Sequence, residues 1–140
     1  MVLVEWKGGM AFEACPPSGN RFVMDAIPEV GGQDQGPTPV EALCASIAAC
    51  SAMDVISILQ KKKQVVTGYR IEVEWTRGPE GVYPRPITTM TVRHIVTGEN
   101  VDPAAVARAV ELSDGKYCTV VATLRSAPSI VSEYRIEPSA

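Results

Sequence analysis

The segment Thr38–Gln60 constrains this chain more than any other, because it reads as a single helix that is apolar on every side. Thr38-Pro39-Val40-Glu41 supplies its start. Thr stands at the N-cap, Pro takes the first helical position, where no N–H is needed, and Glu follows three residues after the cap to close a capping box. Lys61, Lys62 and Lys63 lie at the far end, where positive charge suits the negative pole of the helix dipole. Between them come Leu43, Cys44, Ile47, Ala48, Cys50, Met53, Val55, Ile56, Ile58 and Leu59. A helix without a polar face has to be buried all round. Its length approaches the roughly 20 residues that cross a bilayer. However, Glu41 and Asp54 are charged, Ser46, Ser51 and Ser57 interrupt it, and many of its apolar positions are only alanine. Charge at mid-bilayer depth is costly, so no membrane association is expected and the segment reads as a core helix wrapped by sheet. One small domain has little sheet with which to wrap a helix on all sides. A homodimer whose partner completes the cover is therefore expected.

The rest of the chain arranges short strands and helices around this element. Val2–Trp6 and Met10–Glu13 alternate as strands about the turn Lys7-Gly8-Gly9, and Arg21–Ala26 reads as a third strand after Pro16-Pro17-Ser18-Gly19-Asn20. The Gly- and Pro-rich stretch between Pro28 and Pro39 is a long loop, and loops of that length are usually held for a purpose. Tyr69–Arg77 and Ile87–Thr97 alternate as strands on either side of the turn Gly78-Pro79-Glu80-Gly81. Asp102-Pro103 opens a second helix through Leu112, with Asp as N-cap. A third helix is expected over Lys116–Arg125, capped by Ser113 or Asp114, and a final strand over Ser129–Ile136. The 140 residues, 46% of them apolar, suit one α+β domain spanning 1–140 with a real core.

Composition removes several function classes. The net charge is −3 and the only basic run is Lys61-Lys62-Lys63, so no nucleic-acid partner is expected. Met1–Trp6 alternates like a strand and lacks a basic segment followed by an apolar one, which points away from secretion and toward the cytoplasm. Four cysteines, at 15, 44, 50 and 118, are too few and too irregular for a disulfide scaffold. With one histidine, His94, and no CxxC pair, the usual zinc spacings are missing, and neither metal nor cofactor is expected.

The chemistry-bearing residues each have an ordinary role to set against a functional one. Cys50, in Ala48-Ala49-Cys50-Ser51-Ala52, is either a small core hydrophobe or a thiol that the surrounding alanines leave approachable. Cys118, in Lys116-Tyr117-Cys118-Thr119-Val120, is expected in the first turns of a helix beside a lysine, both of which favour thiolate. Cys44 and Cys50 lie about 120° apart around a helix and do not suit a mutual disulfide. Cys15 reads as a loop or edge residue without a role. Glu41 closes the capping box and, nine residues before Cys50, falls on nearly the opposite helix face. Any service to Cys50 would come across a dimer interface or through a bend. Asp54 shares a face with Cys50 and, as a carboxylate, would raise a nearby thiol's pKa. His94, alone in an alternating strand, reads as structural.

Taken together, Gly36-Pro37-Thr38-Pro39-Val40-Glu41-Ala42-Leu43, Ala48-Ala49-Cys50-Ser51-Ala52-Met53-Asp54-Val55 and Lys116-Tyr117-Cys118-Thr119-Val120 resemble the two cysteine motifs of the OsmC/Ohr family. The resemblance runs over nearly the whole chain and is closest to the YhfA-type branch. It implies an OsmC-like fold, with a long central helix packed on antiparallel sheet, in an intertwined homodimer. It further implies a thiol peroxidase acting on organic hydroperoxides. Cys50 would be oxidised to a sulfenic acid, Cys118 would condense with it to a disulfide, and an external dithiol would reduce the product. Glu41 matches the acidic position that orients a catalytic arginine in that family. The arginine itself is missing, because the early Gly-Gly-Arg turn here reads Gly8-Gly9-Met10, and Arg21 on the next strand is the substitute candidate. Leu43, Ile47 and Met53 are expected to line the substrate pocket. Against the peroxidase stands a second expectation, a small-ligand-binding or redox-sensing dimer that keeps the cysteines without efficient turnover. A structural stress protein with inert thiols is a third.

Overall fold

The computed structural model describes residues 1–139. Three short strands, β1 (Leu3–Trp6), β2 (Phe12–Cys15) and β3 (Phe22–Met24), form an antiparallel meander. The β1–β2 turn needs two positive φ values, 102° at Gly8 and 54° at Gly9, which side chains other than glycine tolerate poorly. The loop that follows β3 is held from inside. The buried Asp25 carboxylate accepts the backbone N–H groups of Ala26, Gln33 and Gln35 at 2.7, 3.1 and 3.2 Å. These bonds bring the Gly-rich stretch back beneath the meander and aim the chain into the long helix.

That helix, α1 (Pro39–Lys61), starts as its sequence dictates. The Thr38 hydroxyl accepts Glu41 N–H at 3.2 Å and the Glu41 carboxylate accepts Thr38 N–H at 2.9 Å, which completes the capping box. Within one chain the helix is not buried all round. Only Cys44, Ile47, Ser51, Val55 and Leu59 are buried, a stripe at helical spacing, while Leu43, Ala45, Ala49 and Met53 lie at the surface. The physical reason is supply: one two-stranded sheet and two short helices cover one side of a cylinder, not its circumference. By length and composition α1 also meets the requirement for a membrane span, yet it packs here against sheet and helices as a core element.

The covering sheet is a long hairpin of β4 (Val65–Arg77) and β5 (Ile87–Glu99), antiparallel with Ile71 opposite His94 and Val73 opposite Val92. The helices α2 (Pro103–Leu112) and α3 (Thr119–Ser126) follow. The Asp102 side chain accepts Ala104 N–H at 2.9 Å and so caps α2 as expected. Two apolar clusters result. One joins Val55 and Leu59 of α1 to Ala105 and Ala109 of α2; the other joins Ile47 of α1 to Cys118 and Val121. The fold is α+β, with a long helix on antiparallel sheet.

Two expectations about the C-terminal third do not hold. The third helix begins at Thr119 rather than Lys116, because Ser113–Tyr117 forms a π-type turn between α2 and α3. Ser129–Ile136 forms no strand. It pairs with neither sheet of its own chain, and Ile130, Tyr134 and Ile136 are exposed.

Candidate functional site

Cys50 and Cys118 come together from elements far apart in sequence. Cys50 lies half-buried on α1, where it packs against the cluster of Ile47, Cys118 and Val121 beside Val73, Met90 and Val92 of the hairpin. Cys118 is 3% exposed and occupies the N-cap position of α3 in an extended conformation, with φ −72° and ψ 103°. The thiol therefore sits at the mouth of the helix, not in its first turns as expected. Both cysteines are free thiols, and Cys50 packs against the cluster that contains Cys118. Burial pushes the Cys118 thiol above its ordinary pKa, and the adjacent Cys50 adds to this. The amides of Val121 and Val120 face the sulfur and oppose the rise without outweighing it, and neither closes a full cap hydrogen bond. Against the expected pull of the helix terminus and Lys116 toward thiolate stands burial, the largest influence on this thiol.

The turn that delivers Cys118 is fixed by polar groups inside the core. Cys118 N–H donates to the Ser113 carbonyl at 2.8 Å. Ser113, fully buried, donates its hydroxyl to an Asp54 carboxylate oxygen at 2.9 Å. Its Oγ lies 3.1 Å from Ser51 Oγ, which lies 3.3 Å from His94 Nε2, and the Tyr69 hydroxyl lies 2.6 Å from His94 Nδ1. One proton arrangement satisfies every member. Since Ser113 gives its proton to Asp54, Ser51 donates to Ser113, His94 Nε2–H donates to Ser51, and Tyr69 O–H donates to Nδ1. A neutral His94 is required, and burial does lower its pKa, against a smaller opposing effect of Asp114. Burial also pushes the Tyr69 hydroxyl up to about 12, so it stays a donor. His94 is accordingly structural, as its isolation in the sequence suggests.

The other site candidates are distributed around this pair. Glu41 lines a cleft of about 500 Å³ between α1 and β4, with Cys44, Ala45, Ala48, Ala49, Tyr69 and Trp75, and its carboxylate is engaged by Thr38 N–H. Burial raises the Cys44 thiol in that cleft, and Glu41 adds to the effect. Ile47 lines a hollow with Met90, Val92, Val121 and the charged pair Asp114 and Arg125, and Leu43 one with Ile87, Thr88 and Met90. Met53 lines neither and is 68% exposed. A further cleft of about 410 Å³ opens onto Cys118 itself, between Lys116, Tyr117, Ala122 and Thr123. Met10 borders an apolar hollow with Val4, Phe12 and Met24, where its thioether offers no positive charge. Arg21 is paired with Glu13 at 3.4 Å. Glu13 also faces Lys7 at 3.8 Å, and its carboxylate lies with Glu5 and Cys15 in a group whose polar atoms fall within 4.8 Å of one another.

Sequence reasoning missed Ser51, Ser113 and Tyr69. The serine interrupting an apolar helix at 51, three residues before Asp54, was the one visible signal. Ser113 reads in the sequence only as a candidate helix cap, and its actual side-chain partners lie about sixty residues away in the chain.

Comparison with known proteins places this arrangement in context. The family model described as OsmC-like protein matches residues 32–133, which include both cysteine motifs. Protein YhfA of Escherichia coli strain K12 is 38% identical over 133 residues, 95% of each chain. A crystal structure of a hypothetical protein from Aquifex aeolicus superposes with a TM-score of 0.76 at 28% identity, covering 91% of this chain and 87% of that one. An organic hydroperoxide resistance protein OsmC from Legionella pneumophila shares the fold at 16% identity and a TM-score of 0.63, over 89% of each chain. On the strength of the motif match and the similarity to YhfA, this chain belongs to the OsmC-like family.

Proposed function

We propose that this protein is a cysteine-based peroxidase that reduces organic hydroperoxides in the cytoplasm and works as a homodimer. The observation that carries the reading is the packing of half-buried Cys50 against the apolar cluster that holds Cys118. Cys50, as thiolate, attacks a peroxide oxygen. The O–O bond breaks, the alcohol leaves with a proton, and the sulfur becomes a sulfenic acid. Cys118 then attacks that sulfur, an S–S bond replaces the S–O bond, and water leaves. An external dithiol reduces the disulfide by exchange. The substrate class is suggested by the name of the Legionella pneumophila relative in fold and by the apolar side chains, Ile47, Val121, Met90 and Val92, packed around the pair. Met53 joins them only if a partner chain covers it.

The homodimer reading is supported by three unpartnered features: the exposed apolar side of α1, the alternating tail at 129–136, and a three-stranded meander with free edges. Glu41 and Arg21 would serve Cys50 across that interface, which suits a Glu41 on nearly the opposite helix face from Cys50. A small-ligand-binding or redox-sensing role is favoured by a different observation. The cleft lined by Cys44 and Tyr69 includes neither Cys50 nor Cys118, and Met10 occupies the family's arginine position.

The deciding experiment is mass spectrometry of reduced protein after a stoichiometric amount of cumene hydroperoxide, with and without dihydrolipoamide. Rapid formation of a Cys50–Cys118 disulfide, reversed by the dithiol and abolished in Cys50→Ser, is the expected result. Unchanged thiols, or full peroxide consumption by Cys50→Ser, would end the peroxidase reading.

A further inference from the structure

We propose that Ser113 is a positioning residue for closure of the Cys50–Cys118 disulfide: its hydroxyl, held by Asp54 and Ser51, fixes the turn whose carbonyl carries the Cys118 amide. The inference rests on the disulfide proposed above, and it concerns how the second sulfur is brought to the first.

The geometry forms a continuous connection from one cysteine's helix to the other. Asp54 lies one helical turn after Cys50 on α1 and accepts the Ser113 hydroxyl at 2.9 Å. Ser51, the residue after Cys50, lies 3.1 Å from the same hydroxyl. The Ser113 carbonyl then accepts Cys118 N–H at 2.8 Å. The helix that holds one sulfur thus holds the other through a single buried side chain.

The turn needs such a fastening. π-type turns are rare, hold an extra residue per hydrogen bond, and occur often at functional sites. Ser113–Tyr117 contains the exposed Gly115, and its outer fastening is the exposed Arg125–Asp114 ion pair at 3.0 Å, a kind of contact that contributes little. Were the segment to relax into α-helix, α2 and α3 would run together and Cys118 would leave the N-cap position. Apolar packing resists such a slide weakly, because it is non-directional. A hydrogen-bond chain resists it strongly, since every member from Tyr69 to Asp54 is satisfied in one register only.

In the step that Ser113 serves, the Cys118 thiolate attacks the sulfenic sulfur of Cys50. The S–S bond forms and the S–O bond breaks; hydroxide takes up a proton and leaves as water. The Cys50 sulfur is reduced and the Cys118 sulfur oxidised. The same pair can be closed without peroxide by oxidised glutathione, which yields the protein disulfide and two molecules of glutathione.

That exchange gives a test independent of peroxidase activity. The equilibrium constant for closure by oxidised glutathione is measured for the full chain, with the Cys50–Cys118 link read by peptide mass spectrometry. Ser113→Ala and Asp54→Ala are expected to lower it about tenfold, the scale of one charge-assisted hydrogen bond. Asp54→Asn, whose amide carbonyl still accepts from Ser113, is expected to stay within about twofold of wild type. Thermal melting of the reduced variants checks folding, and if Ser113→Ala fails to fold, the contrast between Asp54→Ala and Asp54→Asn decides. Wild-type equilibrium in the folded alanine variants overturns the proposal, as does an Asp54→Asn variant no better than Asp54→Ala. A wild-type chain that closes with glutathione but consumes no hydroperoxide would refute the peroxidase and leave Ser113's role standing. A chain that forms no Cys50–Cys118 disulfide at all refutes the positioning role.

Discussion

Tyr69 and His94 share a 2.6 Å hydrogen bond between neighbouring strands, and its direction is set by a carboxylate four groups away. The chain ending on Asp54 leaves His94 Nδ1 as the acceptor, so the ring must be neutral for the core to be satisfied. A protonated ring would present two N–H donors and force the Tyr69 hydroxyl to find another acceptor.

A pH dependence of stability follows, with its sign fixed by burial, which lowers the His94 pKa in the folded state. The unfolded chain takes up this proton near pH 6.5 while the folded chain does not. The His94 contribution is therefore fully present above that value and is lost as the pH falls from it toward the depressed folded value. Calorimetric melting of wild type is expected to fall more steeply than that of His94→Gln as pH drops through this window. Parallel curves would show that His94 does not titrate as described.

Closure of the disulfide is expected to accelerate with alkalinity. Burial raises Cys118 above the ordinary thiol range, so the attacking thiolate is scarce near neutrality and its fraction grows as the pH rises. Stopped-flow oxidation, with Cys118→Ser to isolate sulfenate formation, separates the two steps. The second step should still be gaining rate beyond pH 9, the ordinary value for this thiol. A second step that levels off near neutrality would mean that the thiol is not desolvated.

Removing the tail after Ala127 tests what it covers. Ile130, Tyr134 and Ile136 are exposed at 82, 94 and 86%, so deletion costs nothing to an isolated chain. Sedimentation of the truncated protein is expected to show loss of the dimer or its weakening by orders of magnitude. A dimer of unchanged affinity would place the interface elsewhere.

Leu59 is fully buried where α1 meets α2, among Val55, Ala105 and Ala109. Leu59→Ala is expected to destabilise the fold by about 3 kcal/mol through lost burial and the cavity left behind. The size of the loss is read from urea unfolding. A change below about 1 kcal/mol would mean that the site collapses to fill the void.

The amino-acid sequence by itself determined α1, the caps of α1 and α2, the hairpin strands and the cysteine motifs. Each of these rests on interactions within one or two turns of chain, or on an alternation that any sheet face imposes. Thr38, Glu41 and Asp102 perform the capping their positions foretell. The tertiary structure alone decided that Cys118 caps α3, that a π-type turn precedes it, and that Ser51, Ser113, Asp54, His94 and Tyr69 form one chain of hydrogen bonds. Those features depend on groups separated by 25 to 62 residues, whose meeting is chosen by the packing of α1 against β4, β5 and α2. The tail shows the same division: its alternation at 129–136 suits a strand face, but a strand forms only where the segment pairs with a sheet edge, and here it pairs with none.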